Sequence, residues 1–375
     1  MAHPAHRGAP APHAAPHPLG RETHPRRRRV GLGRVGRGGA WRVIWAWAGF
    51  LLLVGVILAL DLGVFNKRAH APTLREALVF TAGTVVLAVV FAVVLHVGYD
   101  AHWLGLGTQR DAVDGIINDG RTAMLKFLTG YVVELSLSMD NVFVIALIFE
   151  HLKVPLMYQH RVLFWGILGA LAMRGLMIGI GAQLVARYHW ILLVFGAFLV
   201  ITGLRMLVSD EAAEEAQVES WVTRWLRRHF PVTDQFHGER FRVQLDGRWV
   251  LTPLAIALVL VETTDLIFAV DSIPAIFAIT ADPFLVFTSN VFAILCLRSL
   301  YFGLAGLIAR FRHLKVSLAI VLTLVGVKML LGERVRDWLG ENANLWLLAL
   351  IFVILIGGGV WSWVADRGRS RDARD

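Results

Sequence analysis

Apolar residues in this chain gather into long, nearly uninterrupted runs rather than into the spaced stripe of a soluble helix. The runs cover roughly residues 42–60, 77–96, 124–149, 162–186, 190–208, 251–279, 284–309, 316–331 and 345–365. Most approach or exceed the ~20 residues that a helix needs to cross a bilayer, and none alternates with the period of two that marks a half-buried strand. Lipid offers the backbone no water to bond with, so a spanning segment is either a helix or part of a closed barrel. The pattern predicts an all-α polytopic membrane protein with about nine transmembrane helices. One substantial polar insertion interrupts it at 209–250, with eight acids and six bases. It opens on an acidic, helix-like stretch around 211–219 and is too charged to cross a membrane.

Composition narrows the class. Of 375 residues 56% are hydrophobic and only 17% charged, against roughly 25% charged in soluble domains. That excludes a disordered chain, a collagen and a soluble enzyme with one ordinary core. The net charge of +9 looks like a nucleic-acid signal until it is located: residues 1–42 hold nine Arg and one Glu. Residues 1–40, rich in Pro, Gly, Ala, His and Arg, have almost nothing to bury and are expected to be a disordered basic tail. Residues 41–375 then form the transmembrane domain, and no nucleic acid is expected as a partner. The first apolar run starts late, is longer than a signal h-region and lacks a small-residue cleavage site, so no cleavable signal peptide is predicted. The five His within residues 1–24 read as solvated. The single Cys296 sits inside an apolar run, which leaves no intrachain disulfide.

Loop charges set an expected orientation. Counting connections alternately, one side holds Lys67, Arg68, Arg75, Lys153, Arg161, the six Arg of 209–250, Arg310, Arg312, Lys315 and four Arg after residue 366. The other holds Arg110, Arg121, Arg187, Arg334 and Arg336, plus the basic tail. The distributed loops outweigh one tail under the positive-inside rule. They predict a plasma (inner) membrane protein with its N-terminus outside and its C-terminus cytoplasmic.

A repeat is hidden in the runs. The third contains Glu134-Leu-Ser-Leu-Ser-Met-Asp140-Asn141 and the sixth Asp265-Leu-Ile-Phe-Ala-Val-Asp271-Ser272. The next pair of runs shares Arg-x-Leu-x-x-Gly at Arg174 and Arg298. The pair after that shares a Gly, branched or Leu, base, Met, Leu pattern at Gly203 and Gly326. The offsets are 131, 124 and 123 residues, as for one three-helix unit duplicated with loop changes. Three helices followed directly by their copy place the copy in the opposite sense, so helices 3–5 and 6–8 form an inverted repeat. Secondary transporters use this construction and bind at the midplane between the halves.

Glu134, Asp140, Glu262, Asp265 and Asp271 all lie inside apolar runs. A central acid costs roughly 2.5–3.5 kcal/mol on insertion scales, so these must be protonated, paired or gathered around a cation. At about 100° per residue Glu134 shares a face with Asn141, and Asp265 with Ser272. Glu262 lies near Asp265, which favours a shared pocket between two helices. Pro274 removes a backbone donor and crowds the carbonyl of Val270, which should loosen the helix beside Asp271. A purely structural reading stays open: Arg174 and Arg298 could neutralise two carboxylates, with Asn141, Ser136 and Thr264 adding hydrogen bonds. The carboxylates, amide and hydroxyls are hard oxygen donors, suited to Mg, Ca or Mn rather than to Cu or Zn. No HExxH, GxSxG, P-loop or usable GxGxxG occurs, so neither enzymatic activity, a resident cofactor nor ATP-driven pumping is expected.

The segments ELSLSMDNVFVIALIF, VETTDLIFAVDSIPAIFAIT, DPFLVFTSNVFAILCLRSLYF, GLRML and RWLRRHFPVTD resemble the TerC/Alx family of integral membrane proteins, from about residue 44 to 365. The resemblance implies manganese homeostasis with export of Mn²⁺, and a historical association with tellurium resistance. It also implies a cation path through Glu134, Asp140, Glu262, Asp265 and Asp271, with Asn141 and Ser272 beside them, and an outside N-terminus. The expected function is a transporter whose partners are a divalent metal ion as substrate and the lipid bilayer, with proton coupling drawn only from the surplus of acids. Two alternatives stand beside it: a proton or monovalent-cation antiporter with indirect metal effects, and a membrane scaffold for protein assembly or metallation. Protein partners are left open.

Overall fold

The computed structural model describes residues 37–60, 74–208, 221–304, 314–331, 334 and 343–372. The basic tail, the acidic stretch at 211–219 and the side chains of Asp140 and Arg298 lie outside the described residues. The chain is mostly helical. In order run α1 (Arg37–Leu60), α2 (Leu74–Asp100), α3 (Gly120–His151), α4 (Leu156–Arg187) and α5 (Ile191–Val208). A short helix α6 (221–229) and a hairpin of β1 (Arg242–Leu245) and β2 (Arg248–Leu251) follow. Then come α7 (Pro253–Phe277), α8 (Pro283–Leu304), α9 (Leu314–Leu331) and α10 (Ala343–Asp372). Six helices, α1–α5 and α7, are long and apolar enough to cross a membrane, and the described apolar stretches of α8, α9 and α10 are shorter.

The helix ends follow from local chemistry. Asp119 caps α3 by accepting from the Thr122 N–H at 2.8 Å, satisfying a donor that has no partner within the first turn. Pro253 and Pro283 open α7 and α8, where a missing N–H costs nothing, and Asp282 accepts from the Phe284 N–H at 3.0 Å. Pro274 behaves differently from expectation. It sits inside α7, which runs on to Phe277 as one helix, so the loosening beside Asp271 does not amount to a break. The described residues of the polar insertion include a hairpin: β1 and β2 pair antiparallel around Asp246-Gly247. Both residues take positive φ, 49° and 77°, as a tight hairpin turn requires.

Among the described residues the most extensive helix pair is α5 with α9. Their backbones touch: a Cβ on Gly326 would stand 2.8 Å from the Gly196 carbonyl, and one on Gly203 would stand 2.8 Å from that of Ala319. Small residues permitting close approach are the usual basis of packing in lipid, where apolar burial drives nothing. α3 packs on α8 and α2, α4 on α7 and α8, and α7 on α3. Buried apolar residues form two clusters. One takes in Phe127, Leu137, Ile178, Ile273 and Leu285, and the other Ile145, Phe149, Leu163, Leu254 and Leu260. Along α3, α4 and α7 the two clusters occupy opposite ends, and Glu134, Ser138 and Asn141 of α3, Arg174 of α4 and Glu262 and Asp265 of α7 form a polar layer near where they meet.

Candidate functional site

Arg174, near the middle of α4, is the hub of that polar layer. It is 2% exposed, as buried as the groups around it. Its Nη2 donates to Asp265 Oδ1 at 2.9 Å and its Nε to Asp265 Oδ2 at 3.4 Å, the fork geometry that suits guanidinium to carboxylate. Its Nη1 pairs with Glu134 Oε1, donates to Asn290 Oδ1 at 2.9 Å and lies 3.4 Å from Ser272 Oγ. Asn141 Nδ2 donates to Asp265 Oδ1 at 3.0 Å. Four of the residues singled out from the sequence, Glu134, Asn141, Asp265 and Ser272, thus meet in one buried cluster between α3, α4, α7 and α8. Asn290 completes it and was not anticipated, because a single amide in the seventh apolar run has no counterpart in the sequence repeat.

The cluster is incompletely satisfied. Glu134 Oε2 and Asn141 Oδ1 are buried with no hydrogen-bond partner. Two carboxyl groups face one guanidinium, and two oxygen acceptors are left over. Among the described residues no three His, Cys, Asp or Glu side chains converge as a ready metal site; the place where such ligands would meet is filled by the guanidinium.

The remaining candidates stand apart. Glu262 is half-buried, with Oε2 unpartnered, and its carboxylate lies where a Cβ on Gly169 of α4 would collide with it. Asp271 points to α5, where it meets the Thr202 hydroxyl and the charge of Arg205. Asp140 lies on α3, one residue from Asn141, and its side chain is outside the described residues, as is that of Arg298. Ser136 and Thr264 do not serve the acids. Each donates to the carbonyl four residues back, Val132 at 2.7 Å and Leu260 at 2.8 Å. The expected pairing by Arg174 is therefore present, while two of its three expected helpers are turned to their own helices.

Residues 119–369 match the integral membrane protein TerC family. The chain belongs to that family. The matched stretch takes in every candidate acid, Asn141, Ser272 and the hub Arg174. Among TerC relatives, an uncharacterized membrane protein of Myxococcus xanthus is 47% identical over 290 residues, 77% of this chain and 84% of its own length. The Escherichia coli K12 protein Alx, proposed to be a membrane-bound redox modulator, is 44% identical over 288 residues, 76% of this chain and 86% of its own. An uncharacterized membrane protein of Rickettsia bellii is 33% identical over 312 residues, 83% of this chain and 95% of its own. No solved structure matches the chain.

A second buried network in this TerC protein was not read from the sequence. Lys126 of α3 is fully buried and bonds Asp111 Oδ2 at 2.8 Å, Asp114 Oδ2 at 2.8 Å and Asn118 Oδ1 at 2.7 Å. Asp111 also accepts from the Thr280 hydroxyl and, at 2.9 Å, from the Ala281 N–H. It thereby ties the α2–α3 connection to the α7–α8 connection. Burial opposes the charge on Asp111, yet Lys126 and these donors hold its carboxyl below the ordinary value. Nearby Asp282 accepts from the Tyr99 hydroxyl at 2.8 Å. Its carboxyl is pushed up by burial and by the charge of Asp111. The signal that could have found the network is a lysine inside an apolar run.

Proposed function

We propose that the protein is a transporter that exports a divalent cation, Mn²⁺, from the cytoplasm across the plasma membrane, through the Glu134–Asp265 cluster. The observation that carries this reading is a buried layer of hard oxygen donors from α3, α7 and α8 gathered around Arg174 of α4, with apolar clusters on both sides. In this arrangement the site is occluded, and Arg174 stands as a tethered cation where the substrate would sit. Glu134 Oε2 and Asn141 Oδ1, unpartnered here, would be the first acceptors offered to it. A hard divalent ion competes for the carboxylates as the guanidinium withdraws. Glu262, Asp271 and Asp140 would extend the path. Proton uptake by one of the acids would assist release.

An inverted repeat of α3–α5 and α7–α9, within nine spans, gives this site its two-sided access. What supports it is the pattern of pairings. α3 packs on α8 as α7 packs on α4, and α3 meets α7, α4 meets α8 and α5 meets α9, the set that exchanging the halves would generate. The loop charges support an outside N-terminus and a cytoplasmic C-terminus. The redox role proposed for the Escherichia coli relative would here have to work without a dithiol, since Cys296 is the single cysteine and is buried.

The test is Mn²⁺ flux in proteoliposomes with the pH gradient set and collapsed. Wild type should carry Mn²⁺, and Asp265→Asn and Glu134→Gln should lower flux at least tenfold while the protein still reconstitutes. Absence of Mn²⁺ flux in folded wild type overturns the reading. Flux of protons or monovalent cations alone would assign an antiporter, and no flux of any ion would favour a scaffold.

A further inference from the structure

Residues 221–252, which hold the described part of the polar insertion, carry an unusual surface for a segment outside the membrane-spanning helices. Trp221, Trp225 and Trp249 are 62%, 45% and 59% exposed. The same 32 residues hold six Arg against three acids. On α6, at about 100° per residue, Trp221, Trp225, Arg224 and Arg228 fall within an arc of about 100°, and all four are exposed. Val222 and Leu226 point the other way and are buried.

Where they are buried fixes the place of α6. Val222 and Leu226 belong to the apolar cluster that contains Phe149 in the last turn of α3, Val154 in the α3–α4 link and Leu254 in the first turn of α7. The helix therefore packs against the ends of α3 and α7 rather than standing away from them. The segment that follows it is held to α4: Arg161 Nη1 bonds Glu239 Oε2 at 2.6 Å, and its guanidinium lies 5.8 Å from the centre of the Phe241 ring. Arg227 is engaged with Asp234 at 2.8 Å, on the side away from the exposed tryptophans.

We infer that the Trp221–Arg224–Trp225–Arg228 face of α6 is a docking surface for the anionic phospholipid headgroups of the bilayer that the protein spans. Tryptophan prefers the headgroup region, where its ring is apolar and its N–H wet. Arginine forks onto phosphate oxygens, and basic groups beside a span are drawn to an anionic leaflet. A water-facing surface would gain nothing from two adjacent exposed indoles. This assignment is independent of which ion the protein carries.

The test uses the full-length protein in nanodiscs of phosphatidylcholine alone or mixed with phosphatidylglycerol. The difference in tryptophan fluorescence between wild type and Trp221→Phe/Trp225→Phe isolates the two indoles. It should be quenched at least twice as strongly by lipids brominated near the headgroup as by aqueous iodide, and more so with phosphatidylglycerol. Iodide quenching without bromolipid quenching would overturn the inference and mark a surface facing water or a soluble partner. Arg224→Gln/Arg228→Gln gives a second reading that leaves the indoles in place. Native mass spectrometry should find fewer retained phosphatidylglycerol molecules per protein than in wild type; an unchanged number would overturn it as well.

Discussion

At the scale of single residues, the site turns on what Arg174 neutralises. Removing one partner of a buried ion pair leaves a charge with nowhere to go, at a cost of about 3–5 kcal/mol. Arg174→Met should therefore lower the thermal stability of the purified protein sharply, because Glu134 and Asp265 are both stranded. Adding Glu134→Gln and Asp265→Asn to it should recover most of the loss, since the triple variant holds no unpaired charge. If Arg174→Met melts like wild type, the guanidinium is not holding those carboxylates. Gly169 makes a separate point. A methyl there collides with the Glu262 carboxylate, so Gly169→Ala should cut flux by displacing that acid. Combined with Glu262→Ala it should add nothing further, a non-additivity that a double-mutant cycle in the flux assay measures directly.

At the scale of elements, two contacts carry distinct loads. α5 and α9 meet backbone to backbone, so Gly326→Val must push against the Gly196 carbonyl and Leu199. It should lower the melting temperature, whereas Gly357→Val on α10, with nothing within 4 Å of its Cβ position, should leave it near wild type. The Lys126–Asp111 network predicts a pH effect with a definite sign. Asp111 is held below its ordinary value, so its stabilising contribution is complete above about pH 4 and fades as pH falls through the lower folded value. Asp282, pushed upward, works in the opposite sense. Acid titration of thermal stability should show a decline below about pH 4 that is shallower in Asp111→Asn/Lys126→Met; identical slopes would remove Asp111 from the account. These elements also show what patterning discloses. The apolar runs located the helices because length and composition decide spanning. The recurring acid motif singled out Glu134, Asn141, Asp265 and Ser272 because polar groups inside apolar runs have few other uses. Asn290 and Lys126 stayed hidden: one amide or one lysine in an apolar run carries no period. The Asp271 contact with α5 depends on a helix crossing that no local pattern records.

At the scale of the whole molecule, the orientation expected from the loop bases places α6 and the hairpin on the cytoplasmic face. Reporter fusions at the C-terminus and after Val208 should both report cytoplasm, and an opposite result for both would reverse the direction assigned to transport. The arithmetic of the central layer then reaches beyond chemistry. Under the proposed export, with both acids ionised, Glu134, Asp265 and Arg174 would sum to one negative charge without the ion and to one positive charge with it. An interior-negative voltage would therefore oppose both legs of that cycle: the loaded site would resist moving outward and the empty one would resist returning. Each leg would cost roughly 2.3 kcal/mol per 100 mV of the field it crosses. A single proton taken up for the return makes the empty site electrically neutral and removes half of that load, so the resting voltage of the cell would act as a brake whose strength depends on external acidity.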